Sequence, residues 1–277
     1  MQRLKFLFYL FFILQSIGEG QAFWFTVPKK KDVIVKLGVP TKEELSPNKI
    51  DILVWNIYKG KNDSWEEDFN YLSKNNDILI LQEGRLNNKM TKTLTEENKG
   101  LFVMGTSFIY KKSKERTGVV TGSKVKPRKI YHKKSKNVEW VGLTPKVLLF
   151  TEYNISGSKD TLLVINIHAV NTVPTYALAR QIKQAGRKIK KHQGPVIFAG
   201  DFNVWNKKKT EFMKKYLTSI GMEEMVFPNG EERMKFKLTN KVLDYIWIRG
   251  LEYSDAYVWS ELEGADHKAM TATLRVK

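Results

Sequence analysis

The chain has 277 residues, of which 42% are hydrophobic and 12% aromatic, with no cysteine and a formal charge of +18. That composition suits one large domain with a sizeable core, and the missing cysteines exclude disulfides, thiolate metal sites, thiol nucleophiles and a lipidated N-terminal cysteine. The charge favours a polyanionic partner, nucleic acid or an anionic membrane surface; plain solubility is the blander reading.

In chain order, Arg3 and Lys5 precede the apolar run Phe6 to Leu14, and Gly20-Gln21-Ala22 follows. This is the layout of a secretory signal peptide over residues 1–22, cleaved before Phe23, which places the mature protein in the periplasm or outside the cell. The apolar run is short for a membrane span, which needs about 20 residues; an uncleaved N-terminal anchor is the alternative. No Pro/Gly/Ser linker divides residues 23–277, so they are expected to form one domain. Phe23 to Asn48 reads as an extended lead-in.

Ile50 to Asn56 and Asp77 to Gln82 read as buried strands. Between them, Asp63-Ser64 is expected to cap a helix running through Ser73, with Trp65, Phe69 and Leu72 on one face. Lys89 to Asn98 reads as a short helix. Leu101 to Tyr110, Gly118 to Lys124 and Lys146 to Ile155 read as strands joined by basic loops, and Thr161 to His168 as another buried strand. Val173 to His192 carries Leu178, Ile182, Ala185 and Ile189 at helical spacing. Gly194-Pro195 ends that helix before the run Val196 to Gly200. Glu211 to Gly221 reads as a second amphipathic helix, and Lys241 to Arg249 and Ala269 to Val276 as the last strands. Helices between some strands and hairpins between others predict a layered α/β sandwich with mixed sheets.

The apolar runs share one property: each ends in a residue suited to phosphate chemistry. Asn56, Glu83, His168, Asp201 with Asn203, Asp244, and Asp266-His267 all fall at strand ends or next to them. Glu83 and Asn56 end two strands expected to be neighbours and are hard oxygen donors that suit Mg²⁺. Gly200 lets the backbone bend before Asp201, an acid or base, and Asn203, an amide donor. Two of the four histidines, His168 and His267, lie at these ends, where imidazole can move protons near neutral pH. Asp244 can accept the second ring N–H of one of them. The sequence contains no P-loop, dinucleotide fingerprint, serine elbow or zinc-protease motif.

Val54-Trp-Asn56, Leu81-Gln-Glu83, Asn166-Ile-His168 with Asn171, Gly200-Asp-Phe-Asn203, Leu243-Asp244-Tyr-Ile246 and Asp266-His267 together resemble the endonuclease/exonuclease/phosphatase superfamily, in that family's order. The resemblance implies a four-layer α/β sandwich with two central mixed β-sheets, deoxyribonuclease I-like, and a Mg²⁺-dependent phosphodiesterase or phosphatase, with Mn²⁺ or Ca²⁺ as alternative ions. It implies that Glu83 is the main metal ligand, with Asn56 and Asp266 near the ion. His267, oriented by Asp244, would activate water or stabilise the phosphate, and His168 would act on the leaving oxygen. Asp201 and Asn203 would position nucleophile and phosphate. By the same resemblance Arg85 and Asn171 are expected at the nucleic acid, and Arg116 is expected there with the basic loop that holds it. Ala265 departs from the pattern, in which serine commonly precedes the Asp-His pair.

Lys111, Lys112, Lys114 and Arg116, then the run Lys124 to Lys136 with Tyr131 and Trp140, and Lys207 to Lys209 surround these positions in sequence. With the global charge they favour a sequence-nonspecific nuclease, read as an exported monomer and an endonuclease on DNA, with RNA and exonuclease action left open, over a sphingomyelinase-like phospholipid phosphodiesterase, a phosphatase or a non-catalytic basic module. The lipid reading requires an apolar element to enter the bilayer, for which Phe23-Trp24-Phe25 is the candidate.

Overall fold

A strand buried on both faces needs a covering layer on each side. Ile50–Asn56, Thr161–His168 and Val196–Asp201 are buried along almost their whole length, and the chain supplies those layers from two sheets and flanking helices. The computed structural model describes residues 24–139 and 144–277. The signal-peptide reading of residues 1–22, Phe23 and Trp140 lie outside the described residues.

The strands are β1 (Phe25–Thr26), β2 (Ile34–Gly38), β3 (Glu44–Leu45), β4 (Ile50–Asn56), β5 (Ile78–Arg85), β6 (Leu101–Tyr110), β7 (Arg116–Ser123), β8 (Pro127–Val138), β9 (Pro145–Ile155), β10 (Thr161–His168) and β11 (Val196–Asp201). Then come β12 (Glu223–Glu224), β13 (Lys235–Phe236), β14 (Lys241–Val242), β15 (Asp244–Arg249), β16 (Leu251–Trp259) and β17 (Ala269–Val276). The first sheet has the order β1-β6-β7-β5-β4-β17-β16, with β2 also on β6; the second has β12-β15-β11-β10-β9-β3, with β8 also on β9. One apolar cluster, including Ile52, Ile80, Val164, Ile197 and Ile246, fills the space between the sheets. The helix Trp65–Ser73 covers the first sheet's outer face through Trp65, Phe69 and Leu72. The helices Thr175–Ile189 and Lys207–Thr218 cover the second through Leu178, Ile182, Met213 and Leu217. The result is a four-layer α/β sandwich, as the sequence led us to expect.

Register explains why distant residues meet. β4 and β5 are parallel, with Asn56 opposite Gln82. β10 and β11 are parallel, with His168 opposite Asp201. A helical crossover joins each pair, so both strands of a pair finish at the same rim. β15 runs antiparallel to β11 and begins there, with Asp244 opposite Asp201. β17 runs antiparallel to β4, with Met270 opposite Val54, which brings the preceding Asp266-His267 to the same rim. Beneath it the sheets are tied by side chains: Gln82 Nε2 donates to Asn166 Oδ1 at 2.9 Å, and Asn166 Nδ2 donates to Leu81 O and Val120 O, each at 3.0 Å.

Several local expectations need correction. The lead-in is not simply extended: β2 pairs with β6, and a short 3-10 turn, Lys30–Asp32, precedes it. The basic run after Lys124 is not a loop but the edge strand β8, in which Tyr131 stacks on Phe150 at 4.8 Å between centroids. Charged residues on an edge strand discourage pairing with a further chain, which is why its composition resembles a loop. Ser64 does not cap its helix; its hydroxyl donates to Asp68 Oδ2 at 3.2 Å. The helix expected to begin at Glu211 begins at Lys207, because Asn206 caps it by accepting from Lys209 N at 3.0 Å. β16 went unrecognised, since five of its nine residues are exposed or polar enough to obscure alternation. Among the described residues no helix is long and apolar enough to cross a membrane.

Candidate active site

Two backbone irregularities aim side chains of the site. β5 slips register between Leu81 and Gly84, and Glu83 sits in that bulge with φ 56°. Bulges re-aim side chains, and a left-handed non-glycine residue is a strained one. Asn203 likewise has φ 50° just beyond β11. Between them Gly200 is required: a Cβ there would lie 2.1 Å from Ile167 O and 2.9 Å from Gln82 Nε2.

Asp201 stands at the centre. Its Oδ2 accepts from Asn56 Nδ2 at 3.2 Å and lies 3.6 Å from His168 Nε2; its Oδ1 accepts from Asn203 N at 2.9 Å. His267 Nδ1 and Asp244 Oδ2 are 2.7 Å apart, and Trp55 Nε1 donates to His267 O at 3.0 Å, which pins the loop that carries the ring. Asp201, Asp244 and His267 are all buried, and their ligand atoms lie within 4.8 Å of one another, so this trio could hold a metal ion. Among the described residues, Asp244 Oδ1 is buried without a hydrogen-bond partner. The Glu83 carboxylate is ion-paired with Lys59 Nζ. Lys59, Glu83, Lys146 and His168 line one cavity of about 250 Å³, with Phe25, Phe108 and Tyr110 on its apolar wall.

The electrostatics divide these groups. Burial, with Asp244 next, pushes the Asp201 carboxyl up to about 7. Burial works against charge on His267, but Asp244 and then Asp201 outweigh it and raise the ring to about 10. Burial and the nearby Lys146 hold His168 well below the ordinary imidazole value. Burial opposes the charge on Glu83, but His168, Lys59 and Lys146 outweigh it and hold its pKa at about 2. With His168 itself neutral near pH 7, the two lysines carry that last effect. Asp266 is exposed at the mouth; burial raises its pKa, and it feels His267, Glu83 and Lys59.

The rim therefore gathers Asn56, Glu83, His168, Asp201, Asn203, Asp244, Asp266 and His267. Asn203 turns its amide to Ala169 O at 3.0 Å and braces the loop after β10. Asn171 Oδ1 accepts from Thr172 N at 2.7 Å, closing a turn, while its own N–H donates to Glu139. Arg85 pairs with Glu115 and lies over the Tyr110 ring at 4.7 Å. Arg116 Nη1 donates to Asp32 O at 2.8 Å and so anchors the N-terminal segment. Ala265 is buried in the apolar cluster that includes Trp55 and Trp65. Two members of the site escaped the sequence reading, Lys59 and Lys146. Their only signal was position, Lys59 three residues after Asn56, and one lysine among 47 basic residues carries little information.

Two curled mixed sheets between helix layers, with carboxylates and imidazoles at one rim, define the deoxyribonuclease I-like fold. The chain belongs to the endonuclease/exonuclease/phosphatase family, whose profile matches residues 53–267; members of that family are generally metal-dependent hydrolases. It is 30% identical to a UPF0294 protein of Vibrio campbellii, over 97% of this chain and 96% of that one. It is 28% identical to a UPF0294 protein of Klebsiella pneumoniae, over 77% of each. Among solved structures, an endonuclease/exonuclease/phosphatase from Beutenbergia cavernae superposes with a TM-score of 0.64 at 14% identity, covering 83% of this chain and 72% of that one. D. rerio TDP2, complexed with a single-strand DNA product, superposes with a TM-score of 0.59 at 17% identity, covering 82% and 99%.

Proposed function

We propose that the chain is a divalent-metal-dependent phosphodiesterase that cuts nucleic acid without sequence preference, and that residues 1–22 direct its export. The observation that carries the reading is the convergence of Asn56 and His168 on one oxygen of Asp201, beside the Asp244–His267 pair and on the same rim as Glu83. Glu83, Asn56 and Asp266 are hard oxygen donors, and the Glu83 carboxylate is kept anionic; these residues would hold Mg²⁺, with Mn²⁺ or Ca²⁺ as substitutes. The buried trio of Asp201, Asp244 and His267 suits an ion less well, because Asp244 already spends one oxygen on the His267 ring. When bound, the ion supplies Lewis-acid polarisation of the phosphate.

The remaining roles fall to side chains. Asp201, with a carboxyl near 7, is matched to accepting a proton from water at neutral pH. His267, charged and oriented by Asp244, meets negative charge developing on phosphorus-bound oxygen. His168, neutral, donates a hydrogen bond toward the leaving oxygen. Asn203 holds Asp201 through its backbone N–H. Support for nucleic acid comes from the exposed Lys111, Lys112 and Lys114 at the β6–β7 tip, from Lys207 and Lys208 beyond β11, and from the DNA bound by the TDP2 neighbour.

A phospholipid substrate is the second reading. It is favoured by the aromatic wall of Phe25, Phe108 and Tyr110 beside Glu83 and by the 56% exposure of Trp24. The test is a panel of plasmid DNA, RNA, sphingomyelin vesicles and inositol phosphates, each incubated with purified protein and Mg²⁺. Cleavage of DNA or RNA that EDTA and Glu83→Gln both abolish is expected. Cleavage of sphingomyelin with DNA left intact would transfer the assignment to lipid.

A further inference from the structure

Lys59 occupies an unusual position. It lies in the turn after β4, where Tyr58, Lys59 and Gly60 take successive left-handed conformations with φ of 46°, 62° and 61°. Two such non-glycine residues cost more than a partly exposed ion pair returns, so the Lys59–Glu83 contact does not by its own stability account for the turn. The turn is nevertheless firmly held. Ile57 N donates to Gln82 O at 3.0 Å, Tyr58 N to Asn56 Oδ1 at 3.2 Å, and Gly60 N to Ile57 O at 2.8 Å. Gly60 is packed so closely that a Cβ would lie 3.1 Å from the Trp65 ring. A braced turn thus delivers one ammonium to the carboxylate best suited to a divalent ion, and ties it to both Asn56 and β5.

We propose that Lys59 is a displaceable counter-ion of the metal site: it holds Glu83 while no divalent ion is bound, yields the carboxylate to the ion, and then turns to the phosphodiester. This rests on the metal-dependent reading above. Both partners are one-fifth exposed, so solvent and ions reach the pair. The adjoining cavity of about 250 Å³ gives the ammonium somewhere to go without leaving the site. With an ion bound, like-charge repulsion would drive the ammonium from Glu83, and a substrate phosphate at the site would be its nearest new anion. Lysine suits this role because its charge sits on a flexible stem with rotatable donors, whereas arginine is a fixed fork.

The test needs no turnover. Mn²⁺ is titrated calorimetrically into wild-type protein, Lys59→Met, Lys59→Arg and Glu83→Gln, with thermal melts confirming that each is folded. Lys59→Met is expected to bind Mn²⁺ about fivefold more tightly, the factor that corresponds to releasing a partly exposed ion pair; Lys59→Arg, which keeps the charge, stays near wild type. With Mn²⁺ saturating, a phosphorothioate-linked dinucleotide is expected to bind Lys59→Met several-fold more weakly than wild type. Unchanged or weaker Mn²⁺ binding by Lys59→Met, while Glu83→Gln abolishes it, overturns the counter-ion role and leaves the metal reading standing. Unchanged dinucleotide binding overturns the phosphate contact. Mn²⁺ binding absent from wild type, or indifferent to Glu83→Gln, overturns both the metal reading and the inference built on it.

Discussion

Asp244 gives one oxygen to the His267 ring at 2.7 Å and keeps the other buried without a partner among the described residues. That carboxylate chiefly offsets the burial of His267 and leaves the imidazole raised to about 10. Asp244→Asn should therefore bring the His267 pKa from about 10 to below about 8 in metal-free protein, read by NMR titration of the ring. It should also cost on the order of 100-fold in phosphodiesterase activity at pH 8, where the ring would no longer be charged. Lys209 is the opposite case, a charge with no acceptor. Its Nζ is buried without a hydrogen bond among the described residues and lies 4.1 Å from the centre of the Trp205 ring, and burial lowers its pKa to about 8. The unfolded chain then binds more protons than the folded one between about pH 8 and the ordinary lysine value, so this residue makes stability rise with pH across that window. Lys209→Met keeps the packing and removes the charge. It should raise the unfolding midpoint at pH 7, by on the order of 1 kcal/mol, and lose that rise in melts repeated at pH 10. Neither Lys209 nor Lys59 could be singled out from the sequence, because exposed, buried and ion-paired lysines are spelled alike; the carboxylates and histidines were legible because each ended a buried apolar run.

At the level of elements, what was legible followed burial. β4, β10 and β11 are enclosed on both faces and read as continuous apolar runs. β8 and β16 lie at sheet edges, where half or more of the side chains meet water, so their patterns resemble loops. The helix Lys207–Thr218 was shortened in the sequence reading because three lysines open it, at the end where the backbone dipole disfavours positive charge. Asn206 compensates by accepting from Lys209 N at 3.0 Å. Removing that cap should cost about 1 kcal/mol, and more than at a neutral first turn, since the three lysines then face uncapped N–H groups. Asn206→Ala is expected to lower the urea midpoint measurably, and Asn206→Asp to hold or raise it. Equal midpoints for the alanine and aspartate variants would show that the cap carries no weight.

For the whole molecule, the question is where its charge of +18 sits relative to the chemistry. Register answers it. Arg85 pairs with Thr117 beside Glu83, so the β6–β7 tip with Lys111, Lys112 and Lys114 projects from the rim that carries the candidate site. β8 runs the other way: Lys134 pairs with Val147 near that rim, whereas Lys129 pairs with Glu152 close to the start of β10, at the opposite end. The intervening stretch of β10, Leu163 to His168, spans about 17 Å, well beyond the screening length at 0.1 M salt, which is about 10 Å. On the proposed function, the lysines of the tip would therefore neutralise phosphates of a strand held at Glu83, and Arg128 with Lys129 would not. Binding of a labelled, phosphorothioate-protected oligonucleotide, followed by anisotropy from 50 to 200 mM salt, should weaken steeply, with a slope of about −0.9 per duplex phosphate contacted. Alanine at Lys111, Lys112 and Lys114 together should flatten that slope by up to about 2.7 units; alanine at Arg128 and Lys129 should leave it unchanged. Equal flattening by both sets would mean that the charge acts as a diffuse cloud, and the nucleic-acid path would no longer run across the β6–β7 tip.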